Sequence, residues 1–250
     1  METKYRLITI PPSHYCEKAR WALELARVSY QEEPHAPLLH RRATKKAGGG
    51  QTAPVLVTDH GVLSDSTDIL EFLDSQHPDT WRPYPQEDGL RAEVEELEEL
   101  FDTKLGSHTR RIAYFHLLQH RELFLGSVLP GVGSGERKLF RSLRPVICWL
   151  MRRGMRINPA SAERSLEQVR NVFATVSVRL ADGRSFLVGD SFTAADLTFA
   201  ALAAPVLLPR GYGSPLPTLA DIPGELLALV EEMREAPAGA FALRLYRDHR

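Results

Sequence analysis

A chain of 250 residues, 43% hydrophobic and 25% charged, is long enough for one large or two modest domains and ordinary in composition for a soluble globular protein. Its formal net charge of −1 excludes a global field that would recruit nucleic acid or an anionic membrane. Two cysteines far apart, Cys16 and Cys148, suit a reducing cytosol rather than a cross-linked framework.

Periodicity predicts a strand over 5–10, a helix over 14–27, strands over 28–32, 54–58 and 62–63, and a helix over 65–76. Such mixed order in a short stretch argues for a small α/β sandwich. Three prolines and no apolar period over 77–89 read as a connector. The division expected is an α/β domain over 1–78, a linker over 79–89 and an all-helical domain over 90–250. In that last part Val94, Leu97, Phe101, Leu105, His108, Ile112 and Phe115 recur every three or four residues, one face of a long helix. Asn158-Pro159 places a cap and a first-turn proline at the start of a helix reaching about 181. Thr193-Ala194-Ala195-Asp196 opens another, and 223–235 is the last helix predicted; there is no internal repeat. Glu2, Lys4 and Arg6 have no apolar signal core behind them. The longest uncharged apolar run, 197–209, is broken by Pro205 and falls short of the ~20 residues of a membrane span. A cytoplasmic protein is expected.

The segment 8–23 is the most informative, because a strand hands over to a helix at Ser13-His14-Tyr15-Cys16. Free N–H groups of a first helical turn and the positive end of its dipole stabilise an anion held against them. The same field lowers a thiol pKa, so the four residues read as a C-x-x-C redox motif whose first cysteine has become Ser13. Such a site binds a thiolate but lacks one electron-carrying partner.

Ser13, Cys16, Lys18 and Arg20 in a Ser-x-x-Cys-x-Lys-x-Arg pattern are followed by Thr52-Ala53-Pro54-Val55-Leu56 and by Ser64-Asp65-Ser66-Thr67-Asp68-Ile69-Leu70 at a helix start. The helical half adds Leu187-Val188-Gly189-Asp190-Ser191-Phe192-Thr193-Ala194-Ala195-Asp196. In this order and spacing the four elements resemble the glutathione S-transferases. The resemblance implies an α/β thioredoxin-like N-terminal domain, an all-α helical-bundle C-terminal domain, glutathione as co-substrate and a homodimer. It places the family's catalytic residue at Ser13. It also implies a cis peptide before Pro54, with Ala53 offering its backbone N–H and C=O to the cysteinyl part of glutathione. The Ser66 hydroxyl and the free N–H groups of that helix would hold the γ-glutamyl carboxylate, with Asp65 near its ammonium. His14 stands where such motifs frequently carry proline, which leaves the subclass open.

Each of these residues also has a plainer reading. Ser13 is a good helix cap. Cys16 is either a small buried hydrophobe or the thiol of a glutathione-dependent reductase or peroxidase. Tyr5 and Tyr15 are alternative hydroxyl donors, Cys148 belongs to a core, and Asp65 caps its helix. Thr193 and Asp196 form a capping pair assigned to folding. No metal site is assigned.

Charge is segregated: eight acids against Arg91 over 87–102, then eleven Lys/Arg against Glu122 and Glu136 over 104–156. Arg137, Arg141, Arg144 and Arg152 fall near one helical stripe, read as a solvated face or as acidic–basic pairing between neighbouring helices. The sharper alternative is an electropositive mouth for glutathione or an anionic co-substrate. Nothing interleaves aromatics with the stripe as nucleic-acid binding requires. The function expected is conjugation of glutathione to a small hydrophobic electrophile, seated in an apolar cleft near Arg111, Tyr114 and Phe115. The other readings are thiol reduction through Cys16 and a non-catalytic adaptor that uses the fold for protein contacts.

Overall fold

The computed structural model describes residues 5–250; Glu2 and Lys4 lie outside them. Strands β1 (Tyr5–Thr9) and β2 (Tyr30–Pro34) run parallel, β3 (Val55–Thr58) pairs antiparallel with β1, and β4 (Gly61–Leu63) pairs antiparallel with β3, completing a four-stranded sheet in the order β2-β1-β3-β4. Helices α1 (His14–Leu25) and α3 (Ser66–Gln76) pack against each other, and α2 (His40–Lys46) packs against β1. Covered on both faces, β1 buries the consecutive residues Leu7 and Ile8 instead of alternating. This is the thioredoxin-like sandwich expected.

The remainder is helical: α4 (Asp88–Phe101), a π-helical turn (Asp102–Gly106), α5 (Ser107–Leu117), α6 (Arg121–Val128), α7 (Ser134–Gly154), α8 (Pro159–Arg179), α9 (Ala194–Leu207), α10 (Gly224–Glu235) and α11 (Pro237–His249). Apolar nearly all round, α9 is buried at the centre against α1, α4, α5 and α11. The segment 77–89 is irregular but fastened. Trp81 Nε1 donates to the Phe192 carbonyl at 2.8 Å, the Ala194 N–H donates to Pro83 at 2.8 Å, and the buried Tyr84 hydroxyl donates to Glu98 at 2.7 Å. No helix among the described residues is long and apolar enough to cross a membrane.

Where the structure departs from the expected elements, the causes are local. β2 begins two residues late because Arg27, at φ 54°, and the Val28 N–H on Leu23 close the end of α1. α2 carries no apolar period: its buried anchors are His40 and Thr44, bonded to the carbonyls of Gln51 and Gly50 at 3.0 and 2.8 Å. α11 follows the helix taken as the last, since Pro237 opens a helix rather than closing one. The long helix exists, but its π turn inserts a residue into the period. Beyond Leu105 the buried face therefore continues through Thr109 and Ile112, and His108 and Phe115 drop to its flanks.

The capping pair of α9 is formed as predicted. Asp196 accepts from Leu187 N–H at 2.8 Å and from the Thr193 N–H and hydroxyl, each at 2.9 Å. Burial pushes the Asp196 pKa up to about 6, with the donated hydrogen bonds pulling the other way. Folding therefore takes up a proton between the ordinary carboxylate range and about pH 6. The contribution of this group is full at the low end of that window and is lost as pH rises through it. Melting temperatures measured across the window should show the advantage of wild type over Asp196→Asn shrinking toward higher pH. Asp196→Ala, which strands buried donors, should cost about 1–3 kcal/mol.

Candidate functional site

β1 ends at Thr9 and is followed by Ile10-Pro11-Pro12, and the Ser13 N–H returns to the Ile10 carbonyl at 3.0 Å, turning the chain into α1. Ser13 is the N-cap: its Oγ accepts from the Cys16 N–H at a long 3.4 Å, which leaves the hydroxyl proton for another acceptor. Capping and donation thus use opposite ends of one hydroxyl. Cys16 is fully buried, with its Sγ against the Ile10 N–H at 3.4 Å, and burial pushes its pKa up.

The next two side chains hold α1 to the helical half. His14 Nε2 donates to the Gly106 carbonyl at 2.8 Å, and burial, helped by the Arg110 charge, lowers the imidazole to about 3, so the ring is neutral. The Tyr15 hydroxyl donates to the Asp102 carbonyl at 3.2 Å, and burial followed by Asp102 raises it to about 12. A Cβ on Gly106 would collide with the Tyr15 hydroxyl, so only glycine lets the π turn approach this closely. Tyr5 packs edge-on against Phe72 at 5.9 Å and does not line the site.

The Ala53–Pro54 peptide is cis, as the resemblance implies. Ala53 precedes the strand ladder, which starts at Val55, whereas Pro54 lies buried behind it. Asp65 caps α3 by accepting the Thr67 N–H at 2.8 Å and remains exposed, and Ser66 opens the helix nearly buried. The Asp65 charge reaches both Tyr15 and Asp102, which places the start of α3 beside the π turn.

Ser13 and Ala53 open into one cavity of about 640 Å³ between the sheet region and the helices. Asp65 and Ser66 stand outside its lining, and Cys16 and Pro54 lie beneath its wall. The facing wall is α5, which presents Arg110, Ala113, Tyr114 and Leu117 at i, i+3, i+4 and i+7. Of the residues expected near a co-substrate, Tyr114 lines the cavity, but Arg111 and Phe115 do not. One helical step away, Arg111 turns to the other side and donates to the Met155 carbonyl at 3.0 Å and the Ser165 hydroxyl at 2.7 Å. Sequence reasoning missed Arg110, whose signal was its phase with Tyr114. Burial raises Tyr114 to about 12 against the opposing pull of Arg110, so its hydroxyl stays protonated.

The positive rim comes from Arg41, Arg110 and Arg153, not from the stripe of Arg137, Arg141, Arg144 and Arg152. Pairing between that stripe and the acids of α4 does not form. Glu93 instead meets Arg179, Glu95 meets Arg91 at 2.8 Å, and Glu98 and Asp102 meet Lys18 at 2.6 and 3.1 Å. A sulfur placed at Ser13 would face a hydroxyl donor, a helix N-terminus and the Arg110 field. All three favour a thiolate, and each tenfold gain in its population requires about 1.4 kcal/mol of preferential stabilisation.

Sequence models of the glutathione S-transferase N-terminal and C-terminal domains match residues 7–81 and 159–221. No curated protein matches the sequence at a significant level. Among solved structures, a glutathione transferase from Phanerochaete chrysosporium is 17% identical with a TM-score of 0.64, over 98% of this chain and 97% of that one. A glutathione S-transferase from Ceriporiopsis subvermispora in complex with glutathione is 18% identical with a TM-score of 0.63, again over 98% and 97%. One from Methylobacterium radiotolerans in complex with glutathione sulfonate is 20% identical with a TM-score of 0.56, over 96% and 94%. With both halves of one two-part plan matched in order along the sequence and carried by the same fold, the chain belongs to the glutathione S-transferase family.

Proposed function

We propose that the protein is a glutathione transferase that conjugates the glutathione thiolate to a small hydrophobic electrophile. The observation that carries this reading is the half-buried Ser13 hydroxyl, its proton uncommitted, at a helix N-terminus facing a largely apolar cavity. The cysteinyl part of glutathione lies along Ala53 and Pro54, the γ-glutamyl end reaches Asp65 and Ser66, and Arg41 at the rim offers a cation to the glycyl carboxylate. The electrophile occupies the cavity against Tyr114 and Leu117. Catalysis consists of thiolate stabilisation and proximity, with no covalent enzyme intermediate. Burial of Cys16, with its pKa raised, weighs against a reductase cycle, which needs an accessible thiolate.

The test is retention on immobilised glutathione, followed by conjugation of chlorodinitrobenzene compared with reduction of a glutathione mixed disulfide. Retention with conjugation supports the proposal. Disulfide reduction without conjugation transfers the chemistry to Cys16, and neither retention nor turnover favours an adaptor. Ser66→Ala should weaken glutathione binding by about 1–3 kcal/mol, the scale of a hydrogen bond lost to a charged group. An unchanged calorimetric dissociation constant in a folded variant would remove Ser66 from the site.

A homodimer is proposed on the family likeness. Of the eight acids over 87–102 that supply its charge motive, Glu93, Glu95, Glu98 and Asp102 already have partners within the chain. Light scattering at micromolar concentration should give twice the 28.0 kDa chain mass, and a value near the chain mass would reject the dimer.

A further inference from the structure

α7 is apolar over a wider face than its packing uses. Phe140, Ile147, Cys148 and Met151 form one edge of that face and are buried with residues of α6. Next to them Leu139, Leu143, Val146 and Leu150, spaced four, three and four, make a stripe exposed at 49, 41, 56 and 43%, with Trp149 at 59% beside it. Only Val62 and Val178 join these five as exposed large hydrophobic residues among those described. A contiguous exposed apolar strip on an otherwise well-packed molecule marks an interaction surface.

The charge on the same helix narrows the partner. Arg137, Lys138, Arg141, Arg152 and Arg153 are exposed, and Arg153 lies over the Trp149 ring at 6.0 Å. The one acid of α7, Glu136, is turned inward, accepting from the Ala36 N–H at 2.7 Å and pairing with His35 at 2.7 Å. None of the five exposed cations pairs with a carboxylate among the described residues. Stripe-to-stripe contact with a second copy would set these cations against themselves. A helix of 21 residues, about 30 Å long, with an apolar strip, an exposed tryptophan and basic flanks has the pattern of a helix lying in a bilayer interface. The net charge of the chain hides this, because acids elsewhere, six of them on α4, balance these cations.

We propose that α7 docks the protein on an anionic lipid surface, with Leu139, Leu143, Val146 and Trp149 at the acyl boundary and the flanking arginines among the headgroups. Leu150 belongs both to the stripe and to the cavity lining, where Met151 and Arg153 follow it. Docking by this face therefore sets the cavity mouth beside the membrane, and an apolar electrophile dissolved in lipid reaches the cavity without crossing bulk water. This delivery route rests on the conjugation proposed above; the docking does not.

The test is flotation of the purified full chain with vesicles of phosphatidylcholine alone or mixed with phosphatidylglycerol, read with tryptophan emission. Binding is expected to the mixed vesicles, weaker at raised salt, with a blue shift from Trp149. Charge reversal in Lys138→Glu/Arg141→Glu should lower partitioning at least about 25-fold, roughly fivefold for each cation lost. Val146→Asp should abolish the blue shift while leaving chlorodinitrobenzene conjugation in vesicle-free buffer unchanged; Trp149→Ala with a flotation readout replaces it if that variant misfolds. Three results would overturn the proposal: no flotation with anionic vesicles, equal flotation of wild type and variants, or a Val146→Asp change that halves the light-scattering mass without any vesicle binding. The last would mean that a second copy covers the stripe.

Discussion

Ser13→Ala is expected to reduce conjugation roughly 10- to 1,000-fold, the scale of losing one preorganised donor to a developing or bound anion. The bound glutathione thiol should titrate at higher pH, visible in its ultraviolet thiolate absorbance. The fold should barely change, because the cap bond lost is long, at 3.4 Å, and the backbone turn from Ser13 to Ile10 remains. Cys16→Ser serves as the control: its side chain is buried away from the cavity, so conjugation should stay largely intact. If Ser13→Ala left the titration unchanged, thiolate stabilisation would pass to Tyr114, Arg110 or the backbone amides of α1. If Cys16→Ser abolished activity, the thiol-reductase reading would return.

The largest effect on stability is expected from Lys18→Ala. Lys18 is fully buried, and its ammonium sits 2.6 Å from Glu98, 3.1 Å from Asp102 and 3.1 Å from the Thr67 hydroxyl. Thr67 donates onward to Glu98 at 2.9 Å, and Tyr84 caps the other Glu98 oxygen. The cluster bolts α1 to α3, α4 and the π turn, so it joins the sheet region to the helices directly behind the site. Burial raises the Asp102 pKa even with Lys18 beside it, so removing the cation leaves two carboxylates without their counter-charge. The expected cost is about 3–5 kcal/mol, or a fall in melting temperature of roughly 10 °C for a chain of this size. Combining Lys18→Met with Glu98→Gln should recover part of the loss, whereas additive melting shifts would mean the three groups do not act as a unit.

Local signals survived the passage from sequence to fold. A cap or an apolar period is a relation among residues within about four positions, and the chain adopts it wherever that stretch is helical. Hence the starts of α1 at Ser13, α3 at Asp65, α8 at Asn158 and α9 at Thr193 were readable directly, as was the passage from mixed strand and helix to helix alone. α2 was not, because it is held by polar anchors, and the slip at Asp102–Gly106 was not, because an added residue in a turn leaves the sequence period unmarked.

What the tertiary structure alone decided is which of these residues meet. Lys18 looked like one letter of a motif and is a buried cation held by side chains about eighty positions away. Arg110 rather than Arg111 faces the cavity because a single helical step turns a side chain by about 100°. Cys16 and Ser13 stand three residues apart at the same helix start, yet one is sealed in the core and the other opens into the cavity. In the sequence α7 is marked by an arginine stripe, and only packing shows that its apolar face is half covered. Sequence period sets the face of each helix; exposure, pairing and electrostatics depend on neighbours brought in from far along the chain.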